Sequence, residues 1–121
     1  MLDIKGLLHA TVIVKDLKRT RQFYGGVLGL KEVERYNFNF PGIWYAVGDR
    51  QLHIVVDESL PETPDPASLD GRHIALEIGD FAGAQRRLEE LGVEYRLGRS
   101  GLKQIFLRDP DGNLIELQTL G

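Results

Sequence analysis

The chain repeats itself, and the repeat constrains the fold more than any other feature. In the first half His9 stands seven residues before Asp16, and in the second half His73 stands seven before Asp80. Asp16 precedes Gly29 by thirteen residues and Asp80 precedes Gly92 by twelve. Further on, His53 follows His9 after 44 residues and Glu116 follows His73 after 43. Self-similarity of this kind places equivalent positions at equivalent places in two copies of one supersecondary unit. Two polar residues therefore become counterparts of two others.

Hydrophobic periodicity gives the content of each copy. Residues 7–14 are apolar and β-branched and read as a strand; residues 17–28 place Leu17, Phe23, Tyr24, Val27 and Leu28 on a helical face that stops at Gly29. Extended chain over 30–36 and two strands over 43–47 and 52–56, flanking a turn at Gly48-Asp49-Arg50, complete a βαβββ module across residues 1–56. Residues 57–72 hold three of the five prolines and read as a surface linker. The module over 73–121 repeats the plan, with strands at 73–78, 93–97, 104–107 and 114–118, a helix at 81–91, and a DPDGN turn before the last strand. The expected class is α+β, two βαβββ modules in a single domain spanning 1–121.

A chain of 121 residues with 42% hydrophobic composition can bury one sound core but is short for two independent domains. Its net charge of -3 is spread without a basic stripe, so nucleic acid is not an expected partner. No apolar run approaches the roughly 18 to 20 residues of a membrane span, and the first residues lack a secretory pattern, so a cytoplasmic location is expected. There is no cysteine. Any metal must then take nitrogen and oxygen ligands, which suits Zn, Mn, Fe, Ni or Co.

Alternate residues of a strand share a face, so His9 sides with Thr11, His73 with Ala75, His53 with Val55, and Glu116 with Leu114 and Gln118. A lone strand histidine is commonly a hydrogen-bonded core residue, and a lone glutamate commonly faces solvent. Here all three histidines fall on repeat-equivalent positions and the fourth such position is a carboxylate. Imidazole and carboxylate on rigid strands form a divalent-metal donor set, so His9, His53, His73 and Glu116 are the candidate ligands. Phe23 and Tyr24 are expected to pack the helix on the sheet. Trp44, Tyr45 and Phe106 are expected in the core, with an aromatic cleft wall as the alternative; Arg99 and Lys103 read as a solvated loop, with anion binding as the alternative.

The runs LLHATVIVKDL, FYGGVLGL, HIALEI and IFLRDPDGNLIEL resemble the vicinal oxygen chelate superfamily, the glyoxalase, bleomycin resistance and extradiol dioxygenase family, over nearly the whole chain. The resemblance implies paired βαβββ modules curled around a metal cleft, ligands from the first and fourth strands of each module at His9, His53, His73 and Glu116, a small-molecule substrate and a homodimer. It also implies a metal-dependent lyase or isomerase resembling lactoylglutathione lyase, with Glu116 moving the proton. An extradiol-type dioxygenase, with His53 as base, and a fosfomycin-type thiol transferase, with Thr11 two residues after the first ligand, are alternatives within the family. A metal-free module that traps a drug is the alternative outside catalysis.

Overall fold

The computed structural model describes residues 1–61 and 71–120. The chain divides into two compact units, Met1–Leu60 and Pro61–Gly121, whose boundary falls inside the expected linker. Residues 62–70 of that linker lie outside the described residues. No helix of the described chain is long and apolar enough to cross a membrane.

In the first unit, strands β1 (His9–Val14), β2 (Lys31–Val33), β3 (Gly42–Val47) and β4 (Arg50–Val56) form one mixed sheet in the order β1-β4-β3-β2. β1 runs parallel to β4, and the other pairs are antiparallel. A parallel pair cannot be closed by a tight turn and needs a crossover. Helix α1 (Leu17–Thr20), which continues as a π-helical segment over Arg21–Val27, lies within that crossover. It begins where the Asp16 carboxylate accepts the Arg19 amide at 2.9 Å, and it ends before Gly29, whose φ of +74° suits a residue without a Cβ.

The second unit repeats the arrangement. Strands β5 (His73–Glu77), β6 (Arg96–Leu97), β7 (Gln104–Arg108) and β8 (Leu114–Gln118) form a sheet in the order β5-β8-β7-β6, again with its first and last strands parallel. Helix α2 (Phe81–Glu90) starts at Asp80, whose carboxylate accepts the Gly83 amide, and is followed by Gly92 at φ +68°.

The one-residue mismatch between the two helix spacings has a structural cause. The Leu28 amide bonds to the Phe23 carbonyl, five residues back, at 2.9 Å, whereas the Leu91 amide bonds to Arg87, four back. A π-type turn holds one more residue than an α turn between the same end points. The first module carries that extra residue and the second does not.

Alternation along the strands separates two faces. In the first sheet Val12, Val14, Ile43, Tyr45, Leu52 and Ile54 are buried on one side, and Tyr24 from the π segment packs its ring 6.0 Å from that of Tyr45. Phe23 is buried beside Tyr24, so both serve the core as their helical positions imply. In the second unit Ile105, Leu107, Ile115 and Leu117 take the corresponding places, and Leu88 of α2 is buried with them. Each such side chain contributes about 1.5–3 kcal/mol of burial free energy.

Two strands are shorter than periodicity implies. The extended chain expected over 30–36 is paired only to Val33, and beyond it Tyr36 turns its ring onto Trp44 of β3. The strand expected over 93–97 is reduced to Arg96–Leu97, because the Tyr95 hydroxyl donates to Glu89 of α2 at 2.8 Å and ties that stretch to the helix. The hairpins differ too. Gly48 and Asp49 make a two-residue turn between β3 and β4, while between β7 and β8 the buried Asp109 carboxylate accepts the amides of Asp111 and Asn113.

Candidate metal-binding site

The two strand registers are the same in both units. Thr11 pairs with His53 across β1 and β4, and Ala75 pairs with Glu116 across β5 and β8. His9 and His73 each sit two residues before the paired position, hence on the same face and diagonal to His53 and Glu116 respectively. In both sheets this face lies opposite the apolar one. Each unit thus brings one expected ligand pair together: His9 with His53, and His73 with Glu116. Among the described residues no group of three or more His, Asp or Glu side chains gathers at metal-ligand spacing.

In the second unit His73 Nε2 lies 3.1 Å from Glu116 Oε1. The other ring nitrogen, Nδ1, is 3.0 Å from the Gly71 carbonyl. A carbonyl can only accept, so Nδ1 carries the hydrogen. In neutral imidazole that leaves the Nε2 lone pair facing a carboxylate oxygen, an arrangement of two acceptors that is favourable only with a cation between or beside them, either a proton on Nε2 or a metal ion. Two donor atoms on adjacent vertices of a first-row metal stand about 3.0–3.4 Å apart, given bonds of about 2.0–2.1 Å. The pair fits that spacing, and the Nδ1–H to carbonyl bond is the orienting contact that ligating histidines use.

Glu116 is only 5% exposed and its second oxygen is held as well. Gln104 Nε2 donates to Oε2 at 3.1 Å, and the Gln104 amide oxygen in turn accepts from the Ser100 hydroxyl at 2.5 Å. The loop between β6 and β7 is thereby connected to the carboxylate. Neither Ser100 nor Gln104 stood out in the sequence, since nothing in a lone glutamine on a strand distinguishes a carboxylate partner from a solvated residue. Lys103 is exposed, and Arg99, in the same loop, has a contact of its own.

In the first unit the pair is made of rings. His9 and His53 stack with centroids 3.9 Å apart, and Trp44, which pairs with His53 across β3 and β4, stacks on its other side at 4.2 Å. His53 Nε2 hydrogen-bonds to the Gln51 amide oxygen at 2.8 Å, so Nδ1 is the nitrogen left for a ligand. Burial, then the neighbouring His9 and then the Arg35 charge, hold His53 below the usual imidazole range, which favours the neutral form a metal requires.

The default reading of the central aromatics as core is corrected for one of them. Tyr45 is core, at 1% exposed, but Trp44 lies on the histidine face and is half-buried there. Phe106 is buried and also meets the site, with its ring edge-on to His73 at 5.7 Å. Trp44 and Phe106 are counterparts: one pairs with His53 and the other with Glu116. An aromatic residue beside each ligand pair is a second repeat-related feature of the site.

Residues 6–117 match the model of the Glyoxalase/Bleomycin resistance protein/Dioxygenase superfamily. The chain is 31% identical over 117 residues to the glutathione transferase FosA of Serratia marcescens, covering 94% of this chain and 80% of that protein. It is 26% identical over 124 residues to Glyoxylase I 4 of Arabidopsis thaliana, covering 96% and 71%. Among solved structures, the fosfomycin resistance protein FosX from Mesorhizobium loti superposes with a TM-score of 0.70 at 30% identity, over 95% of this chain and 91% of that one.

Proposed function

Because the chain belongs to the glyoxalase, bleomycin resistance protein and dioxygenase superfamily, we propose that it is a divalent-metal-dependent enzyme whose ion is held by His9, His53, His73 and Glu116. The observation that carries this reading is the His73–Glu116 contact, in which a ring nitrogen oriented by the Gly71 carbonyl stands 3.1 Å from a carboxylate oxygen, the spacing of two metal ligands. His9 and His53 occupy the equivalent register positions of the other sheet, and three imidazoles with one carboxylate are borderline ligands suited to Zn, Ni, Mn, Co or Fe(II).

An ion bound there supplies Lewis-acid polarisation of a small substrate that offers adjacent oxygen atoms. The chain's own groups do the rest. Glu116, with Oε2 anchored by Gln104, can carry a proton on Oε1, the oxygen that faces His73. His53, held below the usual imidazole range, keeps its Nδ1 lone pair for the ion, and acts as the base only in the dioxygenase alternative, where it leaves the donor set. Trp44 presents apolar surface beside His53, and Phe106 beside His73. Proton movement at a carbon next to a polarised carbonyl, the lyase or isomerase type of reaction, uses the Glu116 carboxylate.

A thiol-transfer reaction is the second reading, favoured by the similarity to FosA and by Thr11, whose exposed side chain shares the face of His9 and pairs with His53.

Metal analysis of protein purified without an affinity tag tests the proposal, with His73→Ala and Glu116→Ala alongside the wild type. About one ion per four-residue donor set, lost in both variants, is the expected result. A wild type that takes up none of the five ions after incubation with each would overturn it.

A further inference from the structure

Arg35 lies on the histidine face of the first sheet, and among the described residues it has no counter-ion. It follows β2, and its guanidinium rests against Gly42, which shares a side of β3 with Trp44. A Cβ at residue 42 would meet the Ile54 carbonyl oxygen at 2.5 Å, which is what requires glycine there, and Arg35 Nη2 at 2.8 Å and Cζ at 3.0 Å, which places the guanidinium directly over that position. The rings of Phe38 and Phe40 stand 4.8 and 4.9 Å from Cζ, and Nη2 donates to the Phe40 carbonyl at 3.1 Å. Among the described residues no carboxylate lies within ion-pair distance of Arg35, and its Nε is buried without a hydrogen-bond partner.

Holding a half-buried cation with an unsatisfied N–H costs free energy that the aromatic contacts offset only in part. Arginine that served only to order the loop would gain more from a carboxylate partner, and Glu34 is adjacent in sequence without providing one. We infer that Arg35 is a substrate-anchoring residue and that the ligand of this face carries an oxyanion on an apolar or aromatic body. The guanidinium takes the oxyanion through its charge and planar fork, and Phe38 and Trp44, whose rings are 6.1 Å apart, receive the body. This deepens the metalloenzyme reading by naming the substrate class, yet its test needs no metal.

Trp44 is the only tryptophan of the chain, so its fluorescence reports occupation of this face. Benzoate, phenylphosphonate and the uncharged benzamide are titrated into metal-stripped protein at pH 8. Saturable quenching by both anions, at least tenfold tighter than by benzamide and weakened by NaCl, is expected. In Arg35→Gln the anions should lose at least tenfold in affinity while benzamide is unaffected. Equal affinity for benzoate and benzamide, an anion affinity indifferent to salt, anion affinity unchanged in the variant, or no saturable response to any probe each overturns the inference. The salt dependence is read on the wild type, so the test survives a variant that does not fold. Metal content is measured separately, so a protein without metal that still binds the anions through Arg35 sinks the enzyme reading and leaves this one.

Discussion

His73 and Glu116 stand on neighbouring parallel strands, diagonal across the register pair Ala75–Glu116, and meet through Nε2 and Oε1 at 3.1 Å. With Nδ1 committed to the Gly71 carbonyl, the contact is one of two acceptors unless a cation joins it. Sequence distance conceals the pair, since 43 residues separate its members. It exists because the chain, after α2 carries it to β6 at the far edge of the sheet, steps back through β7 and places β8 beside β5.

From this follow effects of opposite sign for Glu116→Gln. In metal-stripped protein at pH 8 the glutamine can donate its NH2 to His73 and still accept from Gln104. Both contacts then become ordinary hydrogen bonds, and a buried charge is removed. Stability should rise by about 1 kcal/mol, or about 4 °C in Tm for a chain of this size. With saturating metal the order should invert. An ion present at a hundred times its dissociation constant stabilises the wild type by about 2.7 kcal/mol, a gain the variant lacks. Thermal melts with and without metal measure both, and a variant that is less stable in both conditions contradicts the acceptor–acceptor account.

Gln104 should act on the metal without touching it. Its amide fixes Glu116 Oε2 and is itself fixed by Ser100, so Gln104→Ala should weaken metal affinity by about 10- to 100-fold, the range seen for groups that orient a ligand. Gly98→Ala should approach the same loss from outside the network, because a Cβ there would run into the Gln104 side chain. Competition with a chromogenic chelator gives the constants. Unchanged affinity in both variants would make the contact incidental.

The cap of the first helix sets a pH dependence of known sign. Asp16 is held below its ordinary carboxylate value of 3.8 by the Arg19 amide first and then by the Arg19 side chain. A carboxylate with a lowered folded-state pKa contributes stability that is complete above the unfolded value and disappears as pH falls through the folded one. The difference in Tm between wild type and Asp16→Ala should therefore be full at pH 6 and shrink below about pH 4. A difference that grows on acidification would reverse the assignment.

Much of this arrangement is legible in the residues, for identifiable reasons. Strand parity and the repeat locate all four candidate ligands, because a period of two leaves no choice of face once the apolar side is known. The same logic reaches Trp44. A two-residue turn at Gly48-Asp49 pairs Val47 with Arg50 and hence Trp44 with His53, a deduction the core default obscured. Arg35 and Gln104 are not reachable this way. One depends on a loop that folds back over Gly42, the other on a diagonal contact from Gln104 to Glu116, and neither geometry follows from periodicity.

The extra residue of the first helix offers a last test. If the π-helical turn at Arg21–Val27 exists to hold one residue more than α2 does, deleting Gly26 should let the segment revert to α geometry. The distance from Asp16 to Gly29 would then match that from Asp80 to Gly92. Phe23 and Tyr24 precede the deletion and keep their places against the core, and a Cβ at 26 would meet nothing within 4 Å, so no packed group is lost. The deletion variant should fold cooperatively. Deleting Ala84 in the regular α2 should not, because it rotates every later residue, Leu88 among them, by about 100° about the helix axis. Circular dichroism melts of the two variants compare them directly. If the Gly26 deletion unfolds the chain as completely as the Ala84 deletion, the π turn is an integral part of how Tyr24 is seated and not an accommodated insertion.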